Sequence, residues 1–172
     1  MTNVQIKTLK SAPEICVALS EILIETVANG GSVSFMHPLS LEAANEFWRT
    51  SLASADRGER VILGAFDGDR LIGTVTLLPD LPPNQPHRAE IAKVLVHSRA
   101  RRRGIGEALM RAAEGAALAL GRDLLVLDTD EAGAARRLYN RLGWTEVGTI
   151  PRYALMPDGR DCGSTFFYKQ LG

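Results

Sequence analysis

The sequence has little of what identifies several common protein classes. It contains only two cysteines, Cys16 and Cys162, with neither CxxC spacing nor nearby histidines. A disulfide framework or a zinc site is therefore not expected, and reduced thiols in the cytoplasm fit better. No apolar run is long enough to span a bilayer, and the N-terminal segment lacks a signal-peptide core. These absences predict a cytoplasmic protein without a membrane partner.

The chain also has no excess of charge of either sign. Lys and Arg total 20, Asp and Glu total 20, and the formal net charge is zero. Overall charge therefore gives no reason to expect a nucleic acid or a membrane surface as partner. The 172 residues are 45% hydrophobic, as is usual for a globular protein with a substantial core. We expect one domain over residues 1–172.

Hydrophobic periodicity predicts an α/β protein in which strands and helices alternate in a mixed order. The predicted strands are Val4–Leu9, Val61–Phe66, Leu71–Leu77, Ala89–Val96, Leu124–Leu127, Thr145–Leu155 and Thr165–Leu171. The predicted helices run from Pro13 to Asn29, from Ser40 past Leu52, from Ile105 to Leu120 and from Ala132 to Leu142. Because Leu124–Leu127 is almost entirely apolar, we expect it in the middle of the sheet.

The most informative segment joins a strand to a helix. Lys93–Arg103 (KVLVHSRARRR) ends a β-branched run in several basic residues and continues into Gly104-Ile105-Gly106. The N-terminus of a helix has unpaired N–H groups and the positive end of the helix dipole, so it binds anions. Glycine lets a phosphate approach the backbone closely. The segment predicts a phosphate-binding turn.

Other phosphate-binding or nucleic-acid-binding motifs fit this turn poorly. A nucleotide P-loop would end in Gly-Lys-Ser/Thr, which is missing, and a dinucleotide fingerprint would have glycine where Leu109 stands. A nucleic-acid patch would need a second basic segment or interleaved aromatic residues. A solvated basic turn before an ordinary helix remains the plain alternative.

The pattern Arg-x-x-Gly-x-Gly at Arg101, Gly104 and Gly106 resembles the acetyl-CoA motif of the GNAT N-acetyltransferase superfamily. Ala134–Trp144 (AARRLYNRLGW) is similar to the second motif of that family. The resemblance implies a mixed, mostly antiparallel sheet of about seven strands flanked by four helices. It also implies acetyl-CoA as cosubstrate without a metal, and in some members a homodimer. The implied acetyl-CoA contacts are Val94, Leu95, Val96, Arg101, Arg102, Arg103, Gly104, Ile105, Gly106, Glu107 and Tyr139.

Within this superfamily, four segments resemble the tabtoxin-resistance acetyltransferases, which acetylate a β-lactam amino-acid toxin. They are Thr26–Met36, Arg88–Val96, Leu127–Thr129 and Pro157–Arg160. The resemblance implies direct transfer of the acetyl group to a small primary amine, with a role in toxin or antibiotic resistance. Phe35 and Met36 would then line the acceptor pocket.

Acetyl transfer to an amine requires a deprotonated amine, a donor for the developing oxyanion and a proton for the leaving thiolate. The resemblance places the N–H of Val94 at the thioester carbonyl and makes Tyr139 the candidate acid. A tyrosine of pKa ~10 protonates a thiolate of pKa ~8.5 uphill by about 2 kcal/mol, so a hydrogen bond to sulfur would already help. A core role for the Tyr139 ring is the structural alternative.

Glu90 and Asp128 are the candidate base and relay, and they would also contact the acceptor amine. Strict alternation along the strand places Glu90 on the same face as Val94 and Val96. Asp128 ends the predicted central strand, where binding crevices form. The alternatives are a surface salt bridge for Glu90 and a helix N-cap for Asp128 or Asp130.

Two other functions remain open at this stage. A non-catalytic acyl-CoA-binding or sensing domain would keep the turn through Gly104 yet could lose Tyr139 and the carboxylates. An enzyme of the same superfamily could instead acetylate a protein or peptide amine, because the fold does not determine the acceptor.

Overall fold

The computed structural model describes residues 4–172, so residues 1–3 of the predicted domain lie outside this part. Seven strands form one sheet in the order β1-β2-β3-β4-β5-β7-β6. In chain order the elements are β1 (Val4–Thr8), α1 (Pro13–Ala28), α2 (Leu41–Asp56), β2 (Val61–Asp67), β3 (Arg70–Leu78), β4 (Arg88–Val96), a 3-10 turn (Ser98–Ala100), α3 (Ile105–Ala119), β5 (Leu124–Asp130), α4 (Ala135–Arg141), β6 (Thr145–Leu155) and β7 (Asp161–Gln170).

The sheet is mixed, and its only parallel pair among residues 4–172 is β4 with β5. The chain returns through α3 between these two strands, as a parallel connection requires. The predicted fold class, with about seven strands and four helices, is confirmed. Within residues 4–172, every helix is too short or too polar to cross a membrane.

Two hydrophobic cores cover the two faces of the sheet. On one face, α1 and α2 bury Leu19, Leu23 and Trp48 against strand residues that include Leu95. On the other face, α3 and α4 enclose a core that includes Ile91 and Phe167. Helices therefore cover both faces of the sheet. The sheet has an opening of its own, which lies between β4 and β5.

A β-bulge at Lys93 reverses the side-chain alternation of β4. The pairing with β3 is irregular here, since Thr74 lies opposite Leu95 and Thr76 opposite Ala92. Before the bulge Ile91 faces the α3 core, whereas four residues later Leu95 faces the α1–α2 core. The predicted common face for Glu90, Val94 and Val96 is therefore wrong, because one extra residue in a strand inverts every later position.

Strands β4 and β5 are paired at only three positions, which end at Glu90 opposite Val126. Beyond this point β4 continues to Val96 and β5 continues to Asp130. The strands therefore diverge and open a cleft in the sheet. Its walls carry backbone N–H and C=O groups that would otherwise form hydrogen bonds with a neighbouring strand.

The segment between β5 and α4 differs from the prediction. The helix begins at Ala135 rather than Ala132, because residues 130–133 form a turn in which Gly133 N donates to Asp130 O at 3.2 Å. A Cβ on Gly133 would meet Asp130 Oδ2 at 2.6 Å, so any larger residue here would have to displace the Asp130 carboxylate. Strand β5 also runs three residues further than predicted, to Asp130.

Candidate active site

A cavity of about 520 Å3 fills the cleft between β4 and β5. Eleven of the predicted site residues line it: Val94, Leu95, Val96, Arg101, Arg102, Gly104, Ile105, Gly106, Glu107, Asp128 and Tyr139. The remaining four, Glu90, Arg103, Phe35 and Met36, are not among the residues of 4–172 that line it. The structure thus brings together the turn, the end of β5 and α4.

The phosphate-binding turn leads into α3 without a side-chain cap. Gly104 has φ +77° and immediately precedes the helix, and Arg102 also has a positive φ of +60°. The first helical bond here runs from Ala108 N to Gly104 O at 3.0 Å. The N–H groups of Ile105, Gly106 and Glu107 therefore have no acceptor within the helix, and all three residues line the cavity.

Gly106 lies where α3 approaches α4. A Cβ at this position would lie 3.1 Å from Leu138 Cδ2, which is tighter than an ordinary contact. Glycine here lets the helix that carries Tyr139 lie directly beside the start of α3. The two glycines of the motif thus have different tasks, one in the backbone turn and one in helix packing.

The arginines of the turn point in different directions. Arg101 Nε donates to Val96 O at 3.2 Å, which joins the turn to the end of β4. Arg103 instead forms an ion pair with Asp67 in the β2–β3 hairpin, at 2.9 Å. Arg102 lines the cavity. The predicted acetyl-CoA contact of Arg103 is therefore not supported by its position.

Glu25 of α1 holds the 3-10 turn that precedes these arginines. It accepts hydrogen bonds from Ser98 N at 2.9 Å and Ser98 Oγ at 2.6 Å. Although burial opposes the charge, these bonds and the nearby His97 hold the pKa of Glu25 below its usual range. The carboxylate fixes the chain just before it enters the phosphate-binding turn.

Tyr139 lies on α4 with 4% of its surface exposed and lines the cavity. Its ring packs on Trp144 and Phe167, with centroids 6.1 Å and 5.6 Å away. Burial, and then the charges of Asp128 and Asp130, raise the pKa of Tyr139 well above its usual value. The hydroxyl therefore stays protonated and can act as a hydrogen-bond donor.

The two candidate carboxylates have different environments. Asp128 lines the cavity, and its Oδ2 accepts a hydrogen bond from Ser164 Oγ at 2.6 Å. Glu90 lies before the strands diverge and forms an ion pair with Arg88 at 2.9 Å. Asp128 and Tyr139 line the same cavity. Glu90 instead forms a salt bridge, which was the alternative role predicted for it.

The loop between α1 and α2 reaches the cavity through Gly31, Ser32 and Val33 rather than through Phe35 and Met36. The Phe35 ring packs on Phe47 of α2 at 5.2 Å, and Met36 is 47% exposed. His37 N, next along the loop, donates to Pro157 O at 3.0 Å. Phe35 attaches the loop to α2, while the glycine-rich start of the loop covers the cleft.

Sequence reasoning missed several residues of the cavity, chiefly Lys93, Asp130 and the loop Gly31–Val33. The one available signal was a charged residue, Lys93, within an otherwise apolar part of β4. Within residues 4–172, no group of three or more His, Cys, Asp or Glu side chains is arranged to hold a metal ion.

Known acetyltransferases resemble this chain in sequence pattern and in fold. The family model described as "Acetyltransferase (GNAT) family" matches residues 27–144. An N-acetyltransferase structure from Staphylococcus aureus Mu50 is 20% identical, with a TM-score of 0.82 and 99% of each chain covered.

Two further structures share the fold over nearly the whole chain. The ribosomal-protein-alanine N-acetyltransferase from Brucella melitensis is 23% identical, with a TM-score of 0.81 and coverage of 97% of this chain and 99% of that one. The structure of yncA from Salmonella typhimurium, assigned as an acetyltransferase, contains its cofactor acetyl-CoA. It is 20% identical, with a TM-score of 0.78 and coverage of 98% and 94%.

Proposed function

The chain belongs to the acetyltransferase (GNAT) family and is an acetyl-CoA-dependent N-acetyltransferase, and we propose that its acceptor is the primary amine of a small molecule. The proposed acceptor is an amino-acid analogue, a toxin or an antibiotic, of the kind modified by tabtoxin-resistance acetyltransferases. The supporting observation is the acceptor side of the cleft, where Thr26 and the loop Gly31–Val33 lie against β4. The cavity of about 520 Å3 would be shared by the acetyl-CoA arm and the acceptor, which favours a small acceptor.

The residues present fit acetyl-CoA, which supplies the acetyl group as a thioester when it is bound. The uncapped first turn of α3 offers three N–H groups to a diphosphate, with Arg101 and Arg102 on the same wall. A Cβ on Gly104 would meet no protein atom within 4 Å, so the glycine leaves this approach open. The free edge of β4 through Val94 and Val96 suits an extended arm.

We assign Tyr139 as the hydrogen-bond donor to the leaving group and Asp128 as the acceptor of the amine proton. Tyr139 is held on α4, whose last turn is fastened where Lys169 Nζ donates to Leu142 O at 2.8 Å. Ser164 Oγ fixes one oxygen of Asp128 and leaves the other oxygen for an amine or a bridging water. Both residues line one cavity, which supports direct transfer between two bound substrates.

The positions of the carboxylates predict unequal effects of two matched substitutions. We expect Asp128→Asn to lower kcat by about 100-fold, because the amide cannot accept the amine proton. Glu90→Gln affects only a half-buried pair with Arg88 outside the cavity and should leave kcat within about twofold. Steady-state kinetics of both variants check this. A larger loss for Glu90→Gln than for Asp128→Asn would reverse the assignment.

The experiment that tests the proposed function measures release of free CoA from acetyl-CoA over a panel of amines. The panel contains amino acids and their analogues, aminoglycosides, polyamines and short peptides that begin with alanine. We expect release with an amino acid or analogue. Turnover of the peptides alone would favour a protein acceptor, and tight CoA binding without any turnover would favour a sensing domain.

We also propose that the protein is a homodimer in the cytoplasm. β6 lies at the edge of the sheet and exposes Val147, Ile150, Tyr153 and Leu155, of which Val147 is 69% exposed. An open edge with apolar side chains can pair with the same edge of a second copy. Both cysteines are free thiols, in keeping with a reducing compartment.

The proposed dimer predicts the effect of one charge on β6. We expect sedimentation equilibrium to give twice the chain mass of 18.7 kDa for the wild type and a single chain mass for Val147→Glu. The reason is that dimerisation would bury the introduced carboxylate without a partner. A wild type that sediments as one chain would contradict the dimer.

A further inference from the structure

The bulge of β4 directs one lysine to the acceptor side of the cleft. Lys93 Nζ donates to Ser34 Oγ at 3.3 Å and lies 5.6 Å from the centre of the Phe47 ring. Ser34 belongs to the loop that covers the cleft and Phe47 belongs to α2, whereas Val94 and Val96 pack on the opposite core. Lys93 therefore faces away from the wall that carries the phosphate-binding turn.

The ammonium of Lys93 has no carboxylate in contact. Among the ion pairs formed within residues 4–172 at 4.0 Å or less, none includes Lys93. Burial lowers the pKa of Lys93, and the more distant charge of Asp128 only partly opposes this. A half-buried cation without a contacting anion is unfavourable unless a bound anion completes it.

The backbone conformations of Lys93 and Ser34, which share this hydrogen bond, are unusual. Lys93 has φ +51° and Ser34 has φ +75°, so both residues adopt the left-handed conformation that non-glycine residues rarely occupy. Such conformations persist where the surrounding fold enforces them, and they cluster at ligand sites. Two of them meet at one hydrogen bond beside the cavity, which is an observation independent of charge.

We propose that Lys93 and Ser34 bind a carboxylate of the acceptor while Asp128 faces the amine. This inference rests on the proposed function and specifies its substrate class: an amine that also bears a carboxylate, as an amino acid does. A polyamine or a simple alkylamine would leave the lysine unpaired. The cation and the anion, both on the cavity wall, together recognise a zwitterion.

The test compares amino acids with their carboxamides, which are matched in shape but lack the negative charge. Acetylation is followed by CoA release, and binding is followed by calorimetry in the presence of CoA. We expect the wild type to favour the best acid over its amide by about tenfold or more in both kcat/KM and Kd. Lys93→Met should remove this preference and leave the KM for acetyl-CoA unchanged, and Lys93→Arg should restore part of it.

The matched control is Lys7→Met on β1. Lys7 Nζ also lies over a phenylalanine ring, 5.2 Å from the centre of Phe66, but Lys7 does not line the cavity. This variant should keep the wild-type preference. Methionine at position 93 keeps an unbranched side chain and, like lysine, must adopt the positive φ of the bulge. Lys93→Met therefore removes little besides the charged group.

The proposal is overturned if the wild type binds and uses acid and amide equally well. It is also overturned if Lys93→Met weakens both acceptors alike, or if it raises the KM for acetyl-CoA instead, which would place the lysine at the cofactor. If no amine is acetylated, the proposed function fails. In that case calorimetry still tests the carboxylate site. Tighter binding of the acid than of the amide would support the site, and equal binding would overturn it.

Discussion

Replacing Tyr139 by phenylalanine is expected to lower kcat by about 100-fold with little change in the KM for acetyl-CoA. The substitution removes only the hydroxyl, since the ring contacts with Trp144 and Phe167 involve carbon atoms that phenylalanine keeps. Transition-state stabilisation is lost while ground-state binding remains, and this affects kcat rather than KM. Steady-state kinetics with the best acceptor measures the effect, and thermal unfolding confirms that the variant is folded.

The direction of the pKa shift adds a second criterion to this prediction. Because burial raises the pKa of Tyr139, its hydroxyl is protonated in the whole range where an enzyme is normally assayed. The ratio of wild-type to variant kcat should therefore stay constant between about pH 6 and pH 9. Tyr168→Phe on β7 is the control and should match the wild type, because that ring is 40% exposed and does not line the cavity. Unchanged turnover of Tyr139→Phe would remove this residue from the mechanism.

Replacing Gly104 by alanine is expected to raise the KM for acetyl-CoA by about tenfold or more. The left-handed conformation at φ +77° costs a residue with a Cβ about 1 to 2 kcal/mol. The turn can relieve this strain by moving, and the N–H groups at the start of α3 then lose their alignment. The added methyl group would also enter the space next to the turn that no protein atom occupies.

The same helix provides the matched control for this substitution. Gly121 follows α3 at its other end, with φ +70° and likewise no protein atom within 4 Å of a Cβ. Gly121→Ala should therefore destabilise the protein to a similar extent, measured by denaturant unfolding, and leave the KM for acetyl-CoA unchanged. If both variants raise KM equally, the effect comes from stability and the turn does not bind the cofactor.

Much of the architecture could be predicted because local chemistry and tertiary structure agree. Pro13 begins α1, Ser40 caps α2 by accepting from Ala43 N at 3.1 Å, and positive-φ glycines follow α3 and α4. The turn at Gly104 was also predictable, since a glycine directly between a basic segment and a periodic helix indicates a change of backbone direction. These signals act within a few residues, so the sequence alone contains them.

The errors concern features that depend on distant contacts. Period-two alternation holds along β4 only up to the bulge, so it wrongly placed Glu90 on the face of Val94 and Val96, and no local residue pattern announced the extra residue at Lys93. The cofactor contact that the resemblance implied for Arg103 stays a prediction, but the ion pair of its side chain with Asp67, in a hairpin 36 residues earlier, could not be predicted from the sequence. Pairings across such distances are decided by the packed fold, and a linear pattern does not contain them.

The divergence of β4 and β5 gives the cavity walls from both faces of the sheet. The cavity is lined from one side by Thr26 and Gly31–Val33 and from the other by Leu138 and Tyr139. The proposed direct transfer needs donor and acceptor in the gap at the same time, and a gap walled from both faces allows one of them to enter from each face. No side chain would then have to carry the acetyl group between two half-reactions.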